Sequence, residues 1–114
     1  MYYYDFNGTN WTGPTLLTSN NGGHINVTSD ASYIYIVWES GDGSADFYSF
    51  DGSTLSAKVD ISTDNMPRIS LMGSTLYVVS IEDATGDIEV YSAAAGATPS
   101  FSAHSTAISG AGLY

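Results

Sequence analysis

The chain aligns with itself. Residues 11–28 (WTGPTLLTSNNGGHINVT) lie without a gap over residues 55–72 (LSAKVDISTDNMPRISLM) at a shift of 44 positions, and the apolar positions coincide: Leu17 with Ile61, Ile25 with Ile69, Val27 with Leu71. Upstream, Phe6-Asn7-Gly8 falls on Phe50-Asp51-Gly52 at the same shift. Downstream, Ile34-Tyr35-Ile36-Val37 falls on Leu76-Tyr77-Val78-Val79 at a shift of 42. A third, shorter copy follows, in which Tyr91-Ser92 answers Tyr48-Ser49, Gly96 answers Gly52, Ile108 answers Ile69 and Leu113-Tyr114 answers Leu76-Tyr77. A chain built this way must fold as stacked copies of one supersecondary unit.

Within each period apolar and polar residues alternate, and Gly, Asn, Asp or Ser clusters separate the alternating runs, which is the pattern of short strands joined by turns. The spacing predicts an inner strand at 24–28, a second at 33–39, a third at 46–50 and an outer one near 57–62. The next set is 68–72, 76–81, 87–92 and a weak strand around 100–103. The chain then ends on an inner strand near 107–109 and a truncated second strand, and it begins with third and fourth strands at 2–6 and 15–18. A period in the low forties with four strands is the signature of a β-propeller blade. The expectation is an all-β chain, residues 1–114 forming a single domain of three tandem four-stranded blades.

Composition agrees: only 12% of residues are charged, and Gly, Ser, Thr, Tyr, Val and Ile dominate. Twelve carboxylates face two cations, Lys58 and Arg68, for a net charge of −10. Such a chain repels nucleic acid and anionic membrane surfaces, so neither is an expected partner. With no cysteine, disulfides and thiolate metal sites are excluded. No apolar run approaches the roughly 20 residues that span a bilayer.

The segment IYIVWESGDGSADFYSF and the turn after it resemble the repeat of sialidase-type propellers with Asp-box hairpins. The box, Ser-x-Asp-x-Gly-x-Thr-Trp, is echoed in degenerate form at Ser49-Phe50-Asp51-Gly52-Ser53-Thr54-Leu55, at Asp5-Phe6-Asn7-Gly8-Thr9-Asn10-Trp11 and at Ser92-Ala93-Ala94-Ala95-Gly96-Ala97-Thr98-Pro99. In that family the box is a hairpin turn, not a catalytic element. A short side chain caps the backbone and Gly supplies the positive φ. The sialidase reaction as that family performs it needs a cluster of arginines, and one arginine cannot make one. A looser resemblance, through Phe6 to Trp11, is to short propeller lectins that assemble from two-blade chains.

His24 and His104 lie in no nucleophile elbow, and Gly-x-Ser-x-Gly is absent. Glu39, Asp42 and Asp46 surround one hairpin turn, and Glu82, Asp83 and Asp87 the equivalent turn of the next repeat. Both sets offer oxygen ligands suited to Ca²⁺, against the plainer reading of solvated acidic turns; no cofactor is expected. The nine tyrosines, with Trp11 and Trp38, suit stacking on sugar faces, although Tyr is also a favoured strand residue.

Three blades do not close a propeller, and an open array exposes its sheet edges. The expected remedy is a homodimer with six blades. The expected function is a non-catalytic, carbohydrate-binding, lectin-like module. A structural or assembly module, or a fragment of a larger propeller, is the alternative, and a glycoside hydrolase comes third. The loops that enter the inner strands carry the candidate site: Asn20, Asn21 and His24 in one repeat, Asp64, Asn65 and Arg68 in the next, with Trp38, Glu39 and Asp42 beside them.

Overall fold

The computed structural model describes residues 1–19, 21–62, 65–103 and 105–109. These residues contain no helix. Ten strands follow one another: β1 (Tyr2–Phe6), β2 (Trp11–Leu16), β3 (Gly22–Ser29), β4 (Ile34–Ser40), β5 (Ala45–Phe50), β6 (Val59–Ser62), β7 (Asn65–Met72), β8 (Thr75–Ile81), β9 (Ile88–Ala94) and β10 (Ser105–Ile108). They form a β1–β2 hairpin and two four-stranded antiparallel meanders, β3 to β6 and β7 to β10.

The shift seen in the sequence reappears in hydrogen bonding. Asn7 Oδ1 accepts from the amides of Thr9 and Asn10 at 3.0 and 2.9 Å, and Asp51 Oδ1 accepts from Ser53 and Thr54 at 2.9 and 2.7 Å. Gly8 and Gly52 share a φ of 92°, where a Cβ would be strained. The Phe6↔Trp11 pairing matches the Phe50↔Leu55 bridge. β1 is therefore the counterpart of β5, the third strand of a unit. The turn at Gly96 is built differently, with the Ala95 amide donating to the Ser74 carbonyl.

The end of the second meander departs from expectation. Residues 100–103 form no strand, and β10 pairs with β9 as the outer strand in place of an inner strand near 107–109. The reason lies in register. In the first meander the Ser56 amide donates to the Ser49 carbonyl at 2.8 Å, the Ser49 amide donates to Ser56 Oγ at 2.9 Å, and Val59 then pairs with Phe47. In the second, the Ser102 amide donates to the Ser92 carbonyl at 2.8 Å, the Ser92 amide donates to Ser102 Oγ at 3.2 Å, and Ser105 pairs with Val90. The same knot recurs, delayed by a longer connection. Ile108 thus answers Ser62, not Ile69. The expected truncated second strand at Leu113 and Tyr114 lies outside the described residues. β2 likewise runs from Trp11 to Leu16, earlier than the expected 15–18.

The two meanders pack face to face. Tyr35, Val37 and Phe47 from the first interlock with Ile69, Leu76, Val78 and Tyr91 from the second. A polar stitch crosses the layer where the innermost strands run side by side: the Ile69 amide donates to Asn26 Oδ1 at 2.8 Å. On its other face the first meander holds Ile36, Trp38, Tyr48 and Phe50 against Met1, Tyr3 and Leu17 from the hairpin end. β4 and β5 are consequently buried on both faces. Burial of each large side chain contributes about 1.5–3 kcal/mol.

Candidate ligand-binding rim

One end of the inner strands gathers the polar residues. β3 enters beside the end of β4 with Gly22 opposite Ser40, and the register slips before Ile25 meets Trp38. A Cβ on Gly22 would lie 2.2 Å from the Glu39 carbonyl oxygen, so only glycine permits the approach. The Asn21 carbonyl accepts the Gly41 amide at 2.5 Å and closes the corner.

The slip turns His24 towards Glu39, with Nδ1 3.1 Å from Oε2. The same carboxylate oxygen accepts the Met66 amide from the next meander at 3.1 Å. Met66 has φ 53°, a left-handed conformation costly for a non-glycine residue; acceptance of its amide by Glu39 helps hold it there. That amide first, and His24 second, hold the Glu39 carboxyl below its ordinary 4.5. Both side chains keep solvent access, 49% for His24 and 24% for Glu39.

Beside this bridge lies a shallow polar hollow of about 440 Å³ lined by Asn21, Ser40, Gly41 and Asp42. Asp42 Oδ1 takes hydrogen bonds from the Ser40 hydroxyl and, at 2.6 and 3.1 Å, from the hydroxyl and amide of Ser44. Those donors, Ser40 foremost, hold the Asp42 carboxyl far below the carboxylate range. Beneath it Asp46 is fully buried. It accepts from Trp38 Nε1 at 3.3 Å and pairs with Lys58 at 3.3 Å, and burial pushes its carboxyl upward. Lys58 also pairs with Asp60 at 2.6 Å.

The residues singled out from sequence are therefore only partly united. Asn21, His24 and Glu39 meet at the rim. Trp38 is 4% exposed, and its ring packs with Ile36, Tyr48 and Phe50, so it offers no open stacking face. Arg68 stands on the face of β7 opposite Pro67 and Ile69, its Nη1 donating to the Pro67 carbonyl at 3.0 Å, turned away from the first meander. Asn20 and Asp64 lie outside the described residues. Ser40, Ser44 and the Met66 amide complete the rim and were missed. The Ser-x-x-x-Ser spacing astride Gly-Asp-Gly was the available clue to the first two.

The two acidic turns group their carboxylates differently from the sets Glu39, Asp42, Asp46 and Glu82, Asp83, Asp87 considered for Ca²⁺. In the first, Asp46 is engaged with Trp38 and Lys58. In the second, Asn65 Nδ2 donates to Asp83 at 2.7 Å, and the carboxylates drawn together are Glu82, Asp87 and Glu89, with ligand atoms within 4.8 Å of one another.

Compared with known proteins, the chain matches no family model, no curated protein and no solved structure.

Proposed function

We propose that the chain is a non-catalytic binding module of β-propeller type that takes a neutral, polyhydroxylated ligand, a sugar foremost, at the rim formed by Asn21, His24, Glu39, Ser40 and Asp42. The observation that carries this reading is the state of the two carboxylates. Glu39 and Asp42 are held ionised by backbone and hydroxyl donors, yet Asp42 lines an open polar hollow and Glu39, next to the Ser40 of its lining, stays 24% exposed. Fixed acceptors of this kind suit the hydroxyl groups of a sugar.

The same feature argues against hydrolysis. A general acid at neutral pH needs a raised pKa, and the rim carboxyls are depressed. Asp46 is raised but has no access to solvent. Arg68 points away, so no anion clamp forms around the rim.

The propeller reading is supported by the repeated turns and by the face-to-face meanders whose inner strands adjoin. Two copies arranged in a ring would fill six positions with four complete meanders and two hairpins. An assembly module is the second reading. It is favoured by large apolar side chains left open on both outer faces, Ile25, Val27 and Ile34 on one and Met72, Tyr77 and Val79 on the other.

A glycan array followed by calorimetry tests the rim. His24→Ala and Asp42→Asn variants with unchanged circular dichroism should each bind the selected glycan at least ~10-fold more weakly, about 1.4 kcal/mol. An empty array, or affinity that survives both substitutions, moves the function to assembly.

A further inference from the structure

The seam between the two meanders holds a second hollow at the end away from the rim, where β4 begins and β5 ends. Its volume is about 230 Å³, and its lining includes Tyr33, Asp51 and Thr54 from the first meander and Ala97 and Thr98 from the second. Both walls are pinned from within the chain. Asp30 Oδ1 accepts the amides of Ser32 and Tyr33 at 2.7 and 2.8 Å, which fixes Tyr33 at the head of β4. The Tyr35 hydroxyl donates to Asp30 Oδ2 at 2.6 Å and accepts the Gly96 amide, and Ser49 Oγ donates to the Ala97 carbonyl at 2.5 Å. The connection after β9 is thereby tied to β4 and β5. A crevice held in this way has little conformational freedom left to lose when a ligand fills it.

Its chemistry differs from that of the rim. Two hydroxyls that border it are already engaged inside the fold, Ser49 with the Ala97 carbonyl and Ser56 with the Ser49 amide and the Ala57 carbonyl, so fewer partners remain for the hydroxyls of a sugar. What the crevice presents instead is the half-buried Tyr33, the methyl group of Ala97 and the exposed carboxylate of Asp51. Neither cation of the chain neutralises that carboxylate: Lys58 pairs with Asp46 and Asp60, and Arg68 donates to the Pro67 carbonyl. We infer that the crevice binds a small organic cation, a methylated ammonium group whose methyls lie against Tyr33 and Ala97 and whose charge faces Asp51. A quaternary ammonium has no N–H to satisfy, so an aromatic ring and a carboxylate are the partners it needs, the ring attracting it through its quadrupole. The net charge of −10 draws such a ligand in and keeps anions out. The site goes beyond the rim reading and does not depend on glycan binding there.

The repeat supplies a clean variant. Asn7 caps the counterpart turn with the same two amide hydrogen bonds that Asp51 makes, at 3.0 and 2.9 Å, so Asp51→Asn keeps the turn and removes only the charge. Amide chemical shifts followed by NMR during titration with tetramethylammonium chloride are the test, with sodium chloride and the uncharged isostere tert-butanol as parallel titrants. Tetramethylammonium should move the amides of Tyr33, Asp51, Thr54, Ala97 and Thr98 along a saturating curve with a Kd on the order of 1 mM. Raising salt from about 0.01 M to about 0.15 M should weaken it, because the attraction is partly screened. Asp51→Asn should bind at least ~5-fold more weakly, Tyr33→Leu should lose saturable binding, and Tyr33→Phe, which keeps the ring, should bind like the parent. Shifts that sodium chloride reproduces, or that scatter over all the carboxylates without saturating, would overturn the site. So would tert-butanol binding as tightly as the cation, or an Asp51→Asn variant with unchanged affinity. Tyr33→Phe and Asp51→Asn decide the matter even if Tyr33→Leu fails to fold. A glycan titrated into the same variants keeps the two sites apart, since binding at the rim should be untouched by either substitution.

Discussion

Glu39 ties three segments together: its own strand end, His24 on β3 and the left-handed Met66 amide on β7. The alternation in residues 33–39 marked it as a strand residue near a turn, and its charge made it a site candidate. The amide that depresses its pKa comes from 27 residues away and has no signature in the sequence. Trp38 was misplaced for a related reason. β4 is covered on both faces, so alternation distinguishes two buried sides and not a buried side from an open one. Glu39→Gln keeps the shape and removes the charge. At pH 7 it should cost about 1 kcal/mol, the worth of a charge-assisted hydrogen bond at a partly exposed site. A carboxyl whose folded pKa lies below its unfolded value stabilises above the unfolded value, and that stabilisation is lost as pH falls through the folded one. Urea titrations from pH 7 downward should therefore show the two proteins diverging above pH 4.5 and converging in stronger acid. A constant gap would assign the cost to shape alone.

At the scale of elements, what the sequence displayed was what recurs. Turns with a capping side chain before glycine, and strands at matching offsets, could be read because the same physics had been written twice. The outer strand of the second meander escaped because its connection is longer, and a Ser-rich, weakly apolar stretch such as residues 100–109 offers several equivalent registers to a pattern search. The junction of β3 and β4 shows how narrow one such register is. Gly22 and Gly23 are neighbours in a single turn sequence, but a Cβ at Gly22 meets backbone at 2.2 Å while one at Gly23 meets only the Glu39 side chain at 3.6 Å. Gly22→Ala must push β3 off the end of β4 and should destabilise by about 2 kcal/mol, the usual range for forcing volume into a packed contact. Gly23→Ala should remain within about 0.5 kcal/mol of the parent. Chemical denaturation of the pair checks this, and equal midpoints would show that the strand entry is loose.

For the whole molecule, two opposing surface properties decide behaviour in solution. The apolar floor under the hairpin and the far face of β7 and β8 favour association, and by the repeat they are complementary: Tyr77 and Val79 occupy the positions of Tyr35 and Val37, which pack on the next meander within the chain. A head-to-tail contact of this kind closes as a ring if its rotation allows. Each copy, however, carries a net charge of −10, and two such copies repel. The repulsion is long-ranged only while it is unscreened. The Debye length falls from about 30 Å at 0.01 M salt to about 8 Å at 0.15 M, whereas apolar burial is unaffected over that range. Sedimentation equilibrium should therefore give a mass near the 12.0 kDa of one chain at low salt and approach twice that value as salt is raised. Val79→Glu, which places a further charge on the exposed far face of β8, should keep the protein monomeric at both salt concentrations without altering its circular dichroism. A parent chain that stays monomeric at 0.15 M salt and hundred-micromolar concentration would mean that the two faces do not meet.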